Sequence, residues 1–183
     1  MDVNFKFQNA TTPEPVRIEQ VWAEKPGGGI VANPTFDVPA TTAVGYNAEG
    51  HLVPIKAYRV VEAANSEATT IKIAKGSGVV TGDVIATGKK GVKCTAVNTA
   101  NADYDVVTVT LGVEVAAGAV LYQAATAGTS VTPAVTPIYV TGNTIYANEG
   151  DQAVRLINGA NLRKETANVS AEVVALMSNI NLV

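Results

Sequence analysis

Proline divides this 183-residue chain more sharply than any other residue type. Six of its eight prolines, Pro13, Pro15, Pro26, Pro34, Pro39 and Pro54, fall in the first 54 positions, and the next ones are Pro133 and Pro137. Each removes a backbone donor and biases its predecessor to extended conformations, so residues 1–54 are not expected to build a regular central sheet or a long helix. The stretch also holds Gly27-Gly28-Gly29 and the single Trp, Trp22. It reads as an extended N-terminal arm over residues 1–56, with short strands around Val16 to Trp22 and Val38 to Tyr46. A flexible linker would not carry Phe5, Phe7, Val16, Ile18, Val21, Trp22, Ile30, Val31 and Phe36. Side chains of this kind need a partner surface, because an extended arm cannot bury them against itself. Burying an aromatic is worth on the order of several kcal/mol at roughly 25 cal/mol per Å2. Phe5, Phe7, Val16, Ile18 and Trp22 are therefore the candidate docking residues.

From residue 57 to 183 the texture changes to short β-type runs separated by Gly, Asn and Asp. Alternation is plain in Thr70 to Lys75 and in Asp105 to Leu111, the period-2 signal of a half-buried strand. Further strands are expected at Ala57 to Glu62, Asp83 to Thr87, Val92 to Val97, Val113 to Val115, Val120 to Gln123 and Ile138 to Thr141. Gly142-Asn143 reads as a hairpin turn between Val140 and Tyr146, and Gly88-Lys89-Lys90-Gly91 as a second. Near the end, Ser170 suits a helix N-cap, Glu172 favours the N-terminal dipole, and Val169 is placed to staple against Val174. A short helix near 170–178 then feeds a terminal strand at 180–183, with Asn179 as the stop. The expected fold is mainly β: a small β-sandwich or partly closed β-barrel, one short C-terminal helix and the extended arm.

The chemistry-bearing residues are few. Cys94 is the only cysteine and His51 the only histidine, so an internal disulfide and a Cys/His zinc site are both excluded. His51 sits in the Gly-flanked turn Glu49-Gly50-His51 and reads as solvated. Cys94, in the alternating run Val92 to Ala96, reads as a small buried hydrophobe. Gly76-Ser77-Gly78-Val79-Val80-Thr81-Gly82 has neither the glycine spacing of a dinucleotide fingerprint nor the lysine of a P-loop, and reads as turns between strands. Asp103 and Asp105 share a strand face, and Glu149 and Asp151 cluster in a turn; neither group has the spacing of a dedicated calcium loop. Lys72, Lys75, Lys89, Lys90 and Lys93 form the one basic concentration and read as a protected sheet edge. The net charge of −3 argues against nucleic acid as the main partner. Asp2, Asn4, Lys6, Gln8 and Asn9 argue against a secretory signal, and no run approaches a membrane span. No enzyme, cofactor or metal is expected.

What is left is a β domain in which Ala and Val supply 56 residues and Thr another 20, with charged residues at 16%. A surface so poor in charge and in aromatics suits broad subunit packing better than a transient hot-spot interface. The stretch Gly76-Ser-Gly-Val-Val-Thr-Gly-Asp-Val-Ile-Ala-Thr-Gly88, followed by Val106-Val-Thr-Val-Thr-Leu-Gly-Val-Glu-Val-Ala-Ala-Gly-Ala-Val-Leu121, resembles the β domain of tailed-phage head fiber and capsid decoration proteins. The ending Val154-Arg-Leu-Ile-Asn-Gly-Ala-Asn-Leu162, with the short helix and Ile180-Asn-Leu-Val183, is similar to the closing element of trimeric head-decoration proteins of the lambda type. The resemblance spans about residues 57–183. It implies a non-enzymatic virion component, assembled in the host cytoplasm and seated as a homotrimer on the outer face of the capsid, with an N-terminal segment making the contact. Its partners would be itself, the major capsid protein and, for a fiber, the host cell surface; nucleic acid and membrane are not expected. An arm of this length suits a head fiber at least as well as a compact cementing knob. Two alternatives stay open: a surface adhesin binding a receptor or carbohydrate, with Tyr104, Tyr122, Tyr139 and Tyr146 lining a groove, and an enzyme using the Asp103/Asp105 pair.

Overall fold

The structure is a computed structural model and describes residues 15–183. Its chain order is β1 (Ile18–Glu24), β2 (Gly29–Val31), β3 (Ala43–Tyr46), β4 (Leu52–Pro54), β5 (Ala57–Arg59), β6 (Thr70–Ala74), β7 (Val84–Thr87), β8 (Lys90–Lys93), β9 (Ala96–Asn98), β10 (Tyr104–Thr108), β11 (Val120–Ala124), β12 (Tyr139–Thr141), β13 (Gln152–Val154), β14 (Leu156–Leu162), α1 (Ala171–Val174) and β15 (Ile180–Leu182). The protein is mainly β, with several sheets and one short helix near the C-terminus. Among the described residues no sheet closes into a barrel.

The strands sort into two lobes by their partners. Both ends of the chain share one sheet of order β1-β14-β12-β3-β4, with β15 lying parallel beside β14. Strands β2 and β13 form a small antiparallel pair of their own. Between β4 and β12 the chain inserts a second lobe made of a three-stranded sheet, β6-β10-β9, and a four-stranded sheet, β5-β11-β7-β8. The inserted lobe has its own core of Tyr58, Val60, Ile71, Ile73, Ile85, Val107, Val109, Leu111 and Leu121. The terminal lobe buries Val31, Val38, Val44, Leu52, Ile145, Val154 and Leu156. A third cluster lies where the lobes meet, combining Ala86, Tyr122 and Ala124 with Val140, Ile157, Leu162, Val173 and Met177.

The expected arm over residues 1–56 differs from what is seen wherever the chain is described. From Ile18 onward it is built into the sheet: β1 pairs with β14 from Ile18↔Leu162 to Glu24↔Ile157, and β3 pairs with β12. The two short strands read from the sequence correspond to β1 and β3; β1 is partnered by β14, and β3 by β4 and by β12, which follows the inserted lobe. Pro26 and Pro54 are accommodated without breaking a ladder. Pro26 and Gly27 occupy the corner of a turn in which Gly28 N–H donates to Lys25 O at 3.0 Å, with Gly27 at φ 76°, the pairing of Pro and Gly that such a turn demands. Pro54 ends β4 on the outer edge of its sheet, where a missing donor costs nothing.

Several local readings are corrected. Gly142-Asn143 is not a hairpin, because Thr141 N–H donates to Thr42 O, Gly142 N–H to Arg155 O and Ile145 N–H to Val38 O, each on a distant segment. Val92 to Val97 splits at Cys94-Thr95 into β8 and β9, which belong to different sheets. Val113 to Val115 contributes an isolated bridge, Ala64↔Val115. The turn at Gly88-Lys89 does form the tight connection between β7 and β8, with Thr87 opposite Lys90. The helix is a single turn, shorter than 170–178. Ser170 caps it, Val173 N–H donating to Ser170 Oγ at 3.2 Å, and Asn179 leads into β15.

Candidate functional site

Of the five candidate docking residues, Phe5 and Phe7 lie outside the described residues. The other three are on or beside β1, the edge strand of the terminal sheet, where register shifts occur between Ile18 and Gln20, between Val21 and Ala23, and between Ala23 and Glu24. Each shift inserts a bulge, and a bulge changes which face the next side chain takes. Ile18 packs against the core cluster at the lobe junction. Val16 and Trp22 stay outside, 55% and 49% exposed. Trp22 lies across Gly159 of β14, where a Cβ would sit 2.6 Å from its Nε1, so the missing side chain gives the indole its seat.

The edge is fixed at both ends by ion pairs across the β1–β14 seam. Glu19 Oε1 accepts from Arg163 Nε at 2.5 Å, and Glu24 is held in a two-pronged pair by Arg155, whose Nε donates to Oε2 at 2.8 Å. The Arg155 hydrogen bonds hold the Glu24 carboxyl below its ordinary range. Thr166 Oγ1 donates to Val16 O at 2.5 Å and Arg163 N–H to Arg17 O at 2.9 Å, which anchors the point where the described chain begins. Bulges and charged residues blunt this edge against indiscriminate pairing. They leave Val16 and Trp22 as its exposed apolar groups.

The most connected polar group belongs to the four-stranded sheet of the inserted lobe. The Asp83 carboxylate accepts from Lys56 Nζ at 2.8 Å, Tyr58 OH at 3.1 Å, Val80 N–H at 3.0 Å and Gln123 Nε2 at 3.3 Å. Its oxygens are occupied, so the group holds β5, β7 and β11 together. Burial, and then the Asp83 charge, push the Tyr58 hydroxyl far above its ordinary value. Cys94 is buried, its thiol pushed up chiefly by burial, with Sγ 3.3 Å from Ala96 O. Asp83, Lys56 and Tyr58 show no pattern in the sequence, because they converge from two separate segments, at β5 and just before β7.

The remaining sequence candidates do not converge. Asp103 is exposed, whereas Asp105 is buried and paired with Lys75 at 2.6 Å, so the two carboxylates do not face one pocket. His51 is exposed in its turn, its N–H donating to Asn47 Oδ1. Gly78 is the seat of Phe36, whose ring carbon Cγ would lie 2.4 Å from an added Cβ; that contact explains the glycine without a phosphate. Tyr104 lies under Lys72, Tyr122 is buried with its hydroxyl donating to Gly88 O at 2.8 Å, Tyr139 packs on the terminal core and Tyr146 is exposed. They are spread over both lobes and line no common groove. No group of three or more metal-ligating side chains occurs among the described residues. Compared with protein-family models, curated proteins and solved structures, the chain matches none of them.

Proposed function

We propose that this chain is a non-enzymatic structural protein of a virion, a head fiber or decoration protein on the outside of a tailed-phage capsid. It self-associates as a homotrimer and attaches through its N-terminal region. The observation that supports this reading is the β1 edge: Val16 and Trp22 are about half exposed near the place where the described chain begins, and the sequence before them carries Phe5 and Phe7. An apolar edge continuous with an aromatic-bearing segment suits docking on a larger surface, in part by strand addition. Three such segments on one trimer make attachment multivalent, so that modest individual contacts give slow release.

The test is co-sedimentation with purified capsids. The truncation has to stop short of β1, since that strand is part of the sheet; removing residues 1–14 leaves it intact. Loss of co-sedimentation on removing residues 1–14, and about a tenfold weaker binding for Trp22→Ala, is the expected result. Undiminished binding by both variants would sink the attachment model. Light scattering on the purified chain tests the trimer, and a monomer at micromolar concentration would count against it.

A further inference from the structure

Arg59 leaves the end of β5 and reaches the turn that follows β14. Its Nη1 donates to the carbonyls of Gly118 (2.9 Å) and Glu165 (3.0 Å), and its Nη2 to that of Ala167 (2.5 Å). All three acceptors are neutral main-chain oxygens, so among the described residues the guanidinium has hydrogen bonds but no counter-charge. Arg17, just before β1, meets the same turn, Arg163 N–H donating to Arg17 O at 2.9 Å and Thr166 Oγ1 to Val16 O at 2.5 Å, and its charge, after burial, lowers the Arg59 pKa. Nε and Nη1 of Arg17 are themselves buried, with no hydrogen-bond partner among the described residues. The ion pairs among those residues join Lys56 to Asp83, Lys72 to Glu62, Lys75 to Asp105, Arg155 to Glu24 and Arg163 to Glu19, and include neither arginine.

A lysine so placed would shed its proton; an arginine does not, because guanidinium stays charged at any physiological pH. Two such groups side by side repel, and donors stripped of water without an acceptor are costly. The same fork of N–H donors matches the oxygens of a carboxylate or phosphate, and two forks match better than one. Gly118 and Glu165, whose carbonyls hold Arg59, also line a surface groove of about 540 Å3 whose charged residues are Lys164, Glu165 and Glu172; neither arginine lines it.

We infer that Arg17 and Arg59 together form a binding site for an oxyanion, supplied either by free phosphate or by a carboxylate of a second copy of this chain. The site is independent of capsid attachment and is tested on the full chain in chloride buffer, by thermal unfolding and light scattering with inorganic phosphate added at matched ionic strength. Free phosphate as the occupant raises the melting temperature by on the order of 5 °C at about a hundredfold excess over Kd, with unchanged mass. A carboxylate of a second copy as the occupant makes phosphate a competitor that lowers the mass of the associated form. Arg17→Met removes either response and leaves the melting temperature in chloride unchanged or higher, since an uncompensated charge has been taken away. Arg17→Lys, which keeps the charge but loses the fork, weakens the response. No response of the native chain would overturn the inference, as would an equal response in Arg17→Met, which marks a general salt effect. So would a large fall of the Arg17→Met melting temperature in chloride, which shows that the chain already supplies the counter-charge. Isothermal titration of the native chain with phosphate reads the free-anion arm without any variant.

Discussion

The two lobes are built from similar β-branched sequence but are closed in different ways. In the inserted lobe the strands find partners nearby, as β7 does with β8 across a two-residue turn and β6 with β10. In the terminal lobe β3 has β4 beside it, but its other neighbour β12 arrives only after the inserted lobe, and β1 waits for β14 near the end of the chain. Closing such long loops costs entropy that local contacts do not repay, so the terminal lobe depends on the completed chain. A segment that looks like an arm when read locally is an edge strand whose partner lies at the other terminus.

The largest test of that contrast is to delete residues 1–24, which removes β1. Amides of β14 and β12 are expected to exchange at least ~10³-fold faster, while those of β6 and β10 keep their protection. A uniform loss across both lobes would break the comparison. Next is Asp83→Ala, which leaves Lys56, whose side chain is 14% exposed, and Tyr58 without their acceptor. A loss of about 3–5 kcal/mol in urea unfolding is expected; under about 1 kcal/mol would mean that the network is not what holds β5, β7 and β11 together. Gly159→Val forces a side chain into the space of Trp22 Nε1 at 2.6 Å and Ala23 Cβ at 2.8 Å. It should cost about 1–3 kcal/mol and shift Trp22 fluorescence, without touching the inserted lobe.

The smallest effect is alkaline. Tyr58 and Cys94 both have raised pKa values in the fold, so each contributes stability that is complete below its unfolded value and lost as pH climbs above it. Stability is therefore expected to start falling above about pH 8.5, as the unfolded thiol ionises, and faster above about pH 10, as the unfolded tyrosine does. Tyr58 should contribute up to about 1.4 kcal/mol per pH unit in that upper range. Tyr58→Phe flattens the upper part of the curve and Cys94→Ala the lower. Unchanged slopes would show that neither group is held neutral by the inserted core.

What was legible in the sequence was what depends on neighbours along the chain. The alternation in Thr70 to Lys75 marks β6, the glycine at Gly88 fits the β7–β8 turn, and Ser170 caps the helix it precedes. Gly142-Asn143 carries an equally good turn signal and makes no hairpin, because the backbone groups on either side are taken by Thr42, Arg155 and Val38. Val16, Ile18 and Trp22 read alike in the sequence, as apolar side chains in need of a partner surface; in the fold Val16 and Trp22 are exposed, whereas Ile18 finds its partner in the chain's own core. Asp83 with its donors and the Arg17–Arg59 pair had no signal at all, since their members meet only across separate strands.

The sequence by itself determined that the chain is mainly β, that its strands are short, and that a capped turn of helix precedes a final strand. Alternation with period two records that one face of a strand is buried, and turn residues record where it ends. Neither records the partner. Only the tertiary structure decided that β1 closes on β14, that the proline-rich segment from Ile18 onward enters the sheet, and that Arg17 and Arg59 both meet the turn after β14 with no ion pair among the described residues. Those outcomes rest on contacts between residues far apart in the chain, and such contacts leave no local pattern to read.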